Sequence, residues 1–478
     1  MQHLPRLALF AIYATNKNEL INEFKNQSLD FIVNNPIGMG VQWACTMDVG
    51  IRVSNLLIAH DIFSQIDANH ILDDEFKKIF SNSIYHHGQF IFNHLEYKEG
   101  LTGNHYLFNL SGLLFVSSYL NKTEETVKWL EFSLQEIEKE VAKQFFNDGG
   151  NFEGSTTYHC LSAEMMGYSA ALMLRNNYNF SVEFKNRLAK IAHFILAILK
   201  PNGEAPQFGD NDSGRYFKLS YVEQNDDENL LNYEGLIAAF SGIIDDNIFS
   251  EYKNKFPIES IIIRNLANSK KIETNLNLIS FSPAKSAIKI LEYTKKHEIS
   301  YEKIENLIKN LSFEHFPYFG ISIFKSANFY LAISSISNKK MHHSWGHVHN
   351  DKLSFELFVN GKDVIQDAGS YCYTSNIEMR NKFRSTKAHH TIIVNGIEQN
   401  KFISSKNGLF YLEKETKCEL LELTKNSIKL KVEYYGIIHI RKFEIFDDKI
   451  AITDYCNKPF EQNFNSQLFS RGYGKKLF

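Results

Sequence analysis

Apolar positions change their spacing partway along the chain. Over roughly the first 300 residues they recur three or four apart, the interval of a helix with one buried face. TEETVKWLEFSLQEIEKEVAKQF (123–145) places Val127, Leu130, Leu134, Ile137 and Val141 at that interval. LFNLSGLLFVSSYL (107–120) reads as a more uniformly apolar helix, and LSAEMMGYSAALMLRNN, FKNRLAKIAHFILAILKPNG and LNYEGLIAAFSGI continue the series. Asn121 lies three residues ahead of Glu124, which predicts a capping box with Asn as N-cap. Gly and Pro mark the joints at DGGN (148–151) and PNG (201–203). Helices paired through polar loops predict a helical array or toroid, with loops at one end forming a cleft. KKHEISYEKIENLIKNL (295–311) is the last helical-looking segment.

From about Phe319 the period becomes two. Leu353, Phe355, Leu357 and Val359 alternate with Ser354 and Glu356, and Phe358 breaks the pattern. Asn360-Gly361 then predicts a hairpin turn. HTIIVNGIEQ, GLFYLEKE and SIKLKVEYYGIIHIRKFEIFDDKIAITDY repeat the grammar of turn-bounded strands. The expectation is a multidomain α+β chain, with a helical toroid followed by an antiparallel β-sandwich. The boundary falls between 285 and 320, which divides the chain into 1–310 and 311–478.

Composition narrows the function. The chain has 478 residues, 44% hydrophobic and 22% charged, enough for two cores. A net charge of -3 without a basic block argues against a nucleic-acid partner, while leaving room for a local groove for an acidic polymer. The 39 Phe belong mainly to cores, whereas some of the 23 Tyr suit a sugar-lined cleft. Five cysteines stand far apart without a CxxC, which excludes a disulfide scaffold and a zinc knuckle. No window reaches the ~18 apolar residues of a membrane helix. The apolar run Leu7–Tyr13 lacks the flanks of a signal peptide.

Candidate chemistry clusters at the joints. His347 and His349 precede the Asn360-Gly361 hairpin, and Asp367 follows it, so the turn brings 349 and 367 together. Two imidazoles and a carboxylate suit zinc or a similar ion. His389 or His390 offers the third ligand, and Asp351 reads as a support for the loop. In the helical half, Asn104 and His105 precede one helix, and Glu153, Tyr158 and His159 precede another. A tyrosine near a histidine can move protons. Asn104 is equally a helix cap, and Tyr158 equally a packing residue. PNGEAPQFGDNDSGR (201–215) adds carboxylates and Arg215 to the cleft, and Arg380 and Arg384 can meet a carboxylate or sulfate. His342 and His343 read as loop residues.

These blocks resemble the heparinase II/III family of polysaccharide lyases. The similarity lies in NPIGMGVQWACTMDVGIRVSNLL (35–57), LTGNHYLFNL (101–110), DGGNFEGSTTYH (148–159) and GHVHNDKLSFELFVNGKDVIQDAG through FRSTKAHHTIIVNG (346–396), with HIRKFEIF (439–446) fitting the sandwich. The resemblance implies an (α/α) toroid joined to a β-sandwich, with the cleft between them. It implies β-elimination in a uronic-acid-containing polysaccharide. Asn104, His105, Tyr158 and His347 would be catalytic, with Tyr158 as base, and Glu153, Arg215, Arg380 and Arg384 would bind substrate. A mainly structural Zn2+ would be held by His349, Asp367 and His389; His390 stands where the family more often has Asn. It also implies a toroid shortened at its N-terminus and a periplasmic or extracytoplasmic location if sequence is missing there, otherwise a cytoplasmic one. A homodimer stays open. Two rivals accompany this reading. One is a toroid glycoside hydrolase using Glu153 with Asp210 or Asp212. The other is a noncatalytic protein that binds or assembles an acidic surface polysaccharide.

Overall fold

The computed structural model describes residues 1–98, 102–220, 223–224, 227–274, 276, 279–284, 291–340, 346–404, 406–464 and 468–477. His342 and His343 lie outside the described residues. Helices α1 (Leu4–Tyr13), α2 (Lys17–Asn34), α3 (Thr46–Ile66), α4 (Asp74–Asn93), α5 (Asn104–Tyr119), α6 (Glu124–Gln144), α7 (Thr156–Arg175) and α8 (Val182–Ile198) form an α/α toroid, extended by α9 (Glu234–Ser241), α10 (Ser250–Lys255) and α11 (Pro257–Leu266). The uniformly apolar helices run through the middle: α5 packs against α3 and α7 and is buried almost all round. The amphipathic α4 and α6 lie outside it. No described helix is long and apolar enough to cross a membrane.

The cap of α6 differs from the expected one. Thr123 is the N-cap, accepting from Thr126 N at 3.2 Å while Thr126 Oγ1 accepts from Thr123 N at 2.8 Å. Asn121 instead offers its carbonyl to Thr126 Oγ1 at 2.8 Å. Thr123 wins because it directly precedes Glu124 and Glu125, whose charges suit the first turn.

Two five-stranded antiparallel sheets make the sandwich. One has the order Ser312–Phe316, Ile321–Ser326, Phe329–Ser334, Phe355–Val359, Lys362–Ile365. The other runs Lys417–Leu423, Ser427–Tyr434, Ile437–Ile445, Lys449–Cys456 and, at its edge, Tyr293–Ser300. That edge strand corrects the helical reading of 295–311, where only Leu307–Asn310 is helical. Tyr293 pairs with Cys456 and Ser300 with Lys449, so the sheet begins ahead of residue 311. Lys295, Lys296 and Glu298 gave the segment its helix-like polarity; here they are charges on an exposed edge, which discourage further strand pairing.

Phe358 breaks the alternation because its strand is buried on both faces. Phe355, Leu357 and Val359 join the core between the sheets. Phe358 joins the toroid core, together with Phe316, Ile321, Ile323, Tyr330 and Ala332 of the same sheet. Glu356, also on that face, pairs with Lys200 at 2.7 Å, and Lys200 reaches Asp363 at 2.7 Å as well. Tyr330 Oη donates to the Ile198 carbonyl at 2.7 Å, and Asp148 accepts from the backbone N–H of Tyr318 and Phe319 at 2.7 and 2.9 Å. Sandwich and toroid therefore share one apolar contact with charge pairs sealed inside it. At the tip of the hairpin, Asn360 (φ 49°) and Gly361 (φ 81°) supply the two left-handed residues the tight turn needs.

Lys200 is nearly inaccessible, so removing it strands two carboxylates in the interface. Lys200→Met is expected to destabilise the fold by about 3–5 kcal/mol, measured by urea unfolding followed by circular dichroism. Lys296→Met, on the exposed edge strand, should leave the transition in place. Equal midpoints for the two variants would show that the buried pair contributes nothing.

Candidate active site and metal centre

The loop after α8 enters the sandwich at Gly209. Its φ is +78°, and a Cβ there would sit 2.4 Å from the His347 carbonyl oxygen and 2.9 Å from Ser155 Cβ. Only glycine lets the loop pass between the start of α7 and the 346–350 segment. The next residue, Asp210, is fully buried. Its N–H donates to the His347 carbonyl at 2.8 Å, and its own carbonyl accepts from Ser155 Oγ and Thr157 Oγ1 at 2.6 and 2.7 Å. Its carboxylate accepts from Arg380 Nη1 and Nη2 at 2.8 and 2.7 Å, from His347 Nδ1 and His349 Nε2 at 2.9 Å each, and from Ser370 Oγ at 3.3 Å. Burial alone would raise its pKa. The Arg380 charge and the donated hydrogen bonds outweigh burial and hold it well below the usual carboxylate range.

An ionised carboxylate only accepts, so Asp210 assigns both imidazole tautomers. His347 presents a proton on Nδ1 to Asp210, so Nε2 is the ring nitrogen left without this acceptor. His349 carries its proton on Nε2, leaving Nδ1 as a lone pair. His349 Nδ1 is buried without a hydrogen-bond partner among the described residues, and so is His389 Nε2. His389 Nδ1 lies 2.8 Å from Asp367 Oδ2. His349, Asp367 and His389 are all buried and present ligand atoms within 4.8 Å of one another. An unpaired buried nitrogen costs about 1–3 kcal/mol, so two in one cluster with a carboxylate fit a metal ion. His390 is turned away, with Nε2 on the Gln366 carbonyl at 2.8 Å.

Tyr158 lies in the first turn of α7, and its ring stacks on His347 with centroids 3.6 Å apart at 13°. Its Oη donates to Asp212 Oδ2 at 2.9 Å and accepts from Tyr373 Oη at 3.3 Å. Burial, then the charges of Asp212 and Asp210, hold its pKa well above the ordinary tyrosine value. The environment favours the phenol, against the phenolate that a base role requires. Asn104 begins α5 and gives its amide to Glu153, with Nδ2 at 2.9 and 2.7 Å from the two carboxylate oxygens. Glu153 sits in the loop that leads to Ser155, and so to Asp210. His105 is more exposed. Its Nδ1 is 2.9 Å from Glu96 Oε1 and 4.0 Å from Cys45 Sγ. Burial lowers its pKa, but Cys45 and Glu96 more than offset this and raise it to about 10. His159 is a packing residue between Phe145 and Phe194.

The structure gives four expected substrate-binding residues internal partners. Arg380 is bidentate on Asp210. Arg384 is buried over Phe402, with Nη1 and Nη2 on the carbonyls of Tyr411 and Gly408. Arg215 stacks on Tyr233, 3.9 Å from the ring centroid, and donates to its Oη at 2.7 Å. Glu153 holds Asn104. Desolvated guanidinium groups need such fixed acceptors, and the sequence alone does not distinguish them from groups facing a ligand. Reasoning from sequence also missed Tyr373 and the central place of Asp210. The spacing of Asp210 and Asp212, two apart like His347 and His349 and directly after a glycine, was the available signal.

The architecture of a toroid followed by a sandwich has relatives. The family model Heparinase II/III N-terminus matches residues 2–227, and Heparinase II/III-like, C-terminal matches 308–468. The chain belongs to the heparinase II/III family. A heparin-sulfate lyase of Bacteroides stercoris is 24% identical over 300 residues, covering 61% of this chain and 36% of that protein. Another, from Pedobacter heparinus, is 22% identical over 416 residues, covering 83% and 52%. A crystal structure of heparinase III aligns with a TM-score of 0.58 at 16% identity, over 90% of this chain and 58% of that one, and shares the toroid-plus-sandwich fold. The chain thus spans about a third to a half of the length of these two curated relatives.

Asp210 should tune the cluster through His349. Asp210→Asn is expected to weaken divalent-metal retention there by roughly 10–100-fold, measured by competition with a chromophoric chelator. Wild-type affinity in this variant would break the link between the carboxylate and the metal centre.

Proposed function

We propose that this protein is a polysaccharide lyase that opens a uronic-acid-containing polysaccharide by β-elimination and leaves a 4,5-unsaturated uronate end. One observation carries the reading: His347, oriented by an ionised Asp210, lies stacked against the phenol of Tyr158. This is a base and an acid side by side.

In a 4-linked uronate the C5 proton becomes acidic once the neighbouring carboxylate is neutralised. Asn104 and the His105 imidazolium supply that neutralisation. One of the two Asn104 amide protons suffices for Glu153, and the other serves the substrate. His347 Nε2 removes the C5 proton, and the electron pair forms the C4–C5 double bond. The C4–O4 bond breaks, and Tyr158 gives its phenolic proton to O4. Asp212 and Tyr373 hold the Tyr158 hydroxyl, and no water enters the cleavage. This assigns Tyr158 the acid role in place of the base.

His349, Asp367 and His389 would hold Zn2+. Such an ion would contribute structure, with the hairpin and the 389 loop supplying its ligands and His349 held in place between them. His349 shares Asp210 with His347, so the same scaffold holds the base. The hydrolase alternative needs one carboxyl kept protonated as an acid. Asp210 stays ionised against Arg380, and Glu153 is occupied by Asn104. Because two relatives are named heparin-sulfate lyases, heparan sulfate is the first polymer to test, followed by alginate, hyaluronan and bacterial capsules.

The deciding assay is a screen of these polymers followed by the ultraviolet absorbance of the unsaturated uronate. A rise is expected. New reducing ends without absorbance would mean hydrolysis. Tyr158→Phe should keep binding and lose roughly 10²–10⁴-fold in turnover; unchanged turnover would overturn its assignment as the acid.

Zinc analysis tests the centre separately. His389→Ala should lose one equivalent that His390→Ala keeps. The reverse result would move the third ligand to His390.

A further inference from the structure

A second set of metal-ligating groups lies at the cleft end of the toroid, outside the buried cluster. Cys45 is the N-cap residue of α3, Glu96 follows α4, and His105 is the second residue of α5. Glu96 Oε1 is 2.9 Å from His105 Nδ1 and 3.8 Å from Cys45 Sγ, and His105 Nδ1 is 4.0 Å from Cys45 Sγ. A tetrahedral zinc with one sulfur ligand and two nitrogen or oxygen ligands has edges of roughly 3.3–3.8 Å. The three observed separations fall within about half an ångström of those edges.

Glu96 is held for this task by its other oxygen. Oε2 accepts from Met47 N at 2.8 Å and Asn109 Nδ2 at 3.1 Å, and the Glu96 N–H donates to Asn109 Oδ1 at 2.7 Å. That leaves Oε1 aimed at the histidine and the thiol. The His105 side chain is 53% exposed, so a fourth coordination position opens to solvent. Thiolate, imidazole and carboxylate together select zinc-like ions over magnesium or calcium.

The geometry points to Cys45, Glu96 and His105 as a second, solvent-open site for a zinc-like divalent cation, whose occupation withdraws His105 from the cleft. The inhibitory half of this inference rests on the lyase reading of His105, whereas the cation site does not.

Cobalt titration of the metal-free protein separates the two. The buried cluster contains no sulfur, so a thiolate-to-Co2+ charge-transfer band reports the second site alone. The band is expected in the wild type, absent in Cys45→Ser, and shifted at least tenfold to higher Co2+ in Glu96→Gln. Circular dichroism confirms that both variants fold. No band in the wild type, or an undiminished band in Cys45→Ser, would overturn the site. Added Zn2+ should slow turnover of the wild type and leave Cys45→Ser unaffected. A band without inhibition would overturn the withdrawal of His105 and leave the cation site standing.

Discussion

The candidate site depends on one buried carboxylate. Asp210 belongs to a toroid loop, yet Arg380, His347, His349 and Ser370, which donate to it, all come from the sandwich half. Taking a carboxylate out of water costs several kcal/mol, and partial satisfaction would not recover it. Here a bidentate guanidinium and three further donors surround both oxygens. The charge is therefore stable only when both domains are in place. The same acceptor fixes which nitrogen of each histidine is free. Placement and chemistry of the site follow from a single electrostatic demand.

The domain contact makes that demand achievable. The loop that carries Asp210 begins at Lys200, whose ammonium is locked between Glu356 and Asp363. Gln207 N then donates to Glu356 at 2.9 Å, and Gly209 threads past the His347 carbonyl. Lys200, Gln207 and Gly209 thus tie this stretch of toroid chain to the sandwich before Asp210 is reached. Apolar packing by Phe358, Tyr330 and Ile323 on the same sheet face excludes water from these charges. A packed contact of this kind holds Tyr158 and His347, the groups proposed for proton transfer, to the tolerance that such a transfer requires.

What the sequence made legible was pattern, and what it hid was partnership. Period and turn residues located the toroid helices, the hairpin and the sandwich. The same hairpin argument brought His349 near Asp367. Phe358 looked like an imperfection because a period-two reading assumes one wet face, and this strand has none. The 295–311 segment looked helical because an exposed edge strand, rich in charge, loses the alternation of a half-buried one. The arginines misled for a different reason. Arg380 lies in the short helix Ile377–Phe383 and Arg384 caps its end, and the acceptors that claim them come mostly from other segments, Asp210 being 170 residues from Arg380 and Gly408 and Tyr411 being 24 and 27 from Arg384. Asp210 was visible only as one of several carboxylates in a polar joint.

Charge balance shows why carboxylates can line a site proposed for a polyanion. Asp210 and Arg380 cancel, which leaves the inner site without a repulsive charge at that point. Asp212 remains, and in the proposed elimination it keeps the Tyr158 proton in place until a better acceptor arrives. An alkoxide forming at O4 is such an acceptor, because its affinity for a proton far exceeds that of a carboxylate. Phenol, not phenolate, is then the useful resting form for the proposed acid role, and the neighbouring carboxylates Asp212 and Asp210 oppose ionisation of Tyr158 and so preserve it. In the same proposal the positive charge for an acidic sugar comes from His105, whose half-exposed imidazolium meets the substrate before the inner groups do. Attraction at His105 and neutrality further in fit the proposed acidic substrate, and the proposal leaves the proton transfers to His347 and Tyr158.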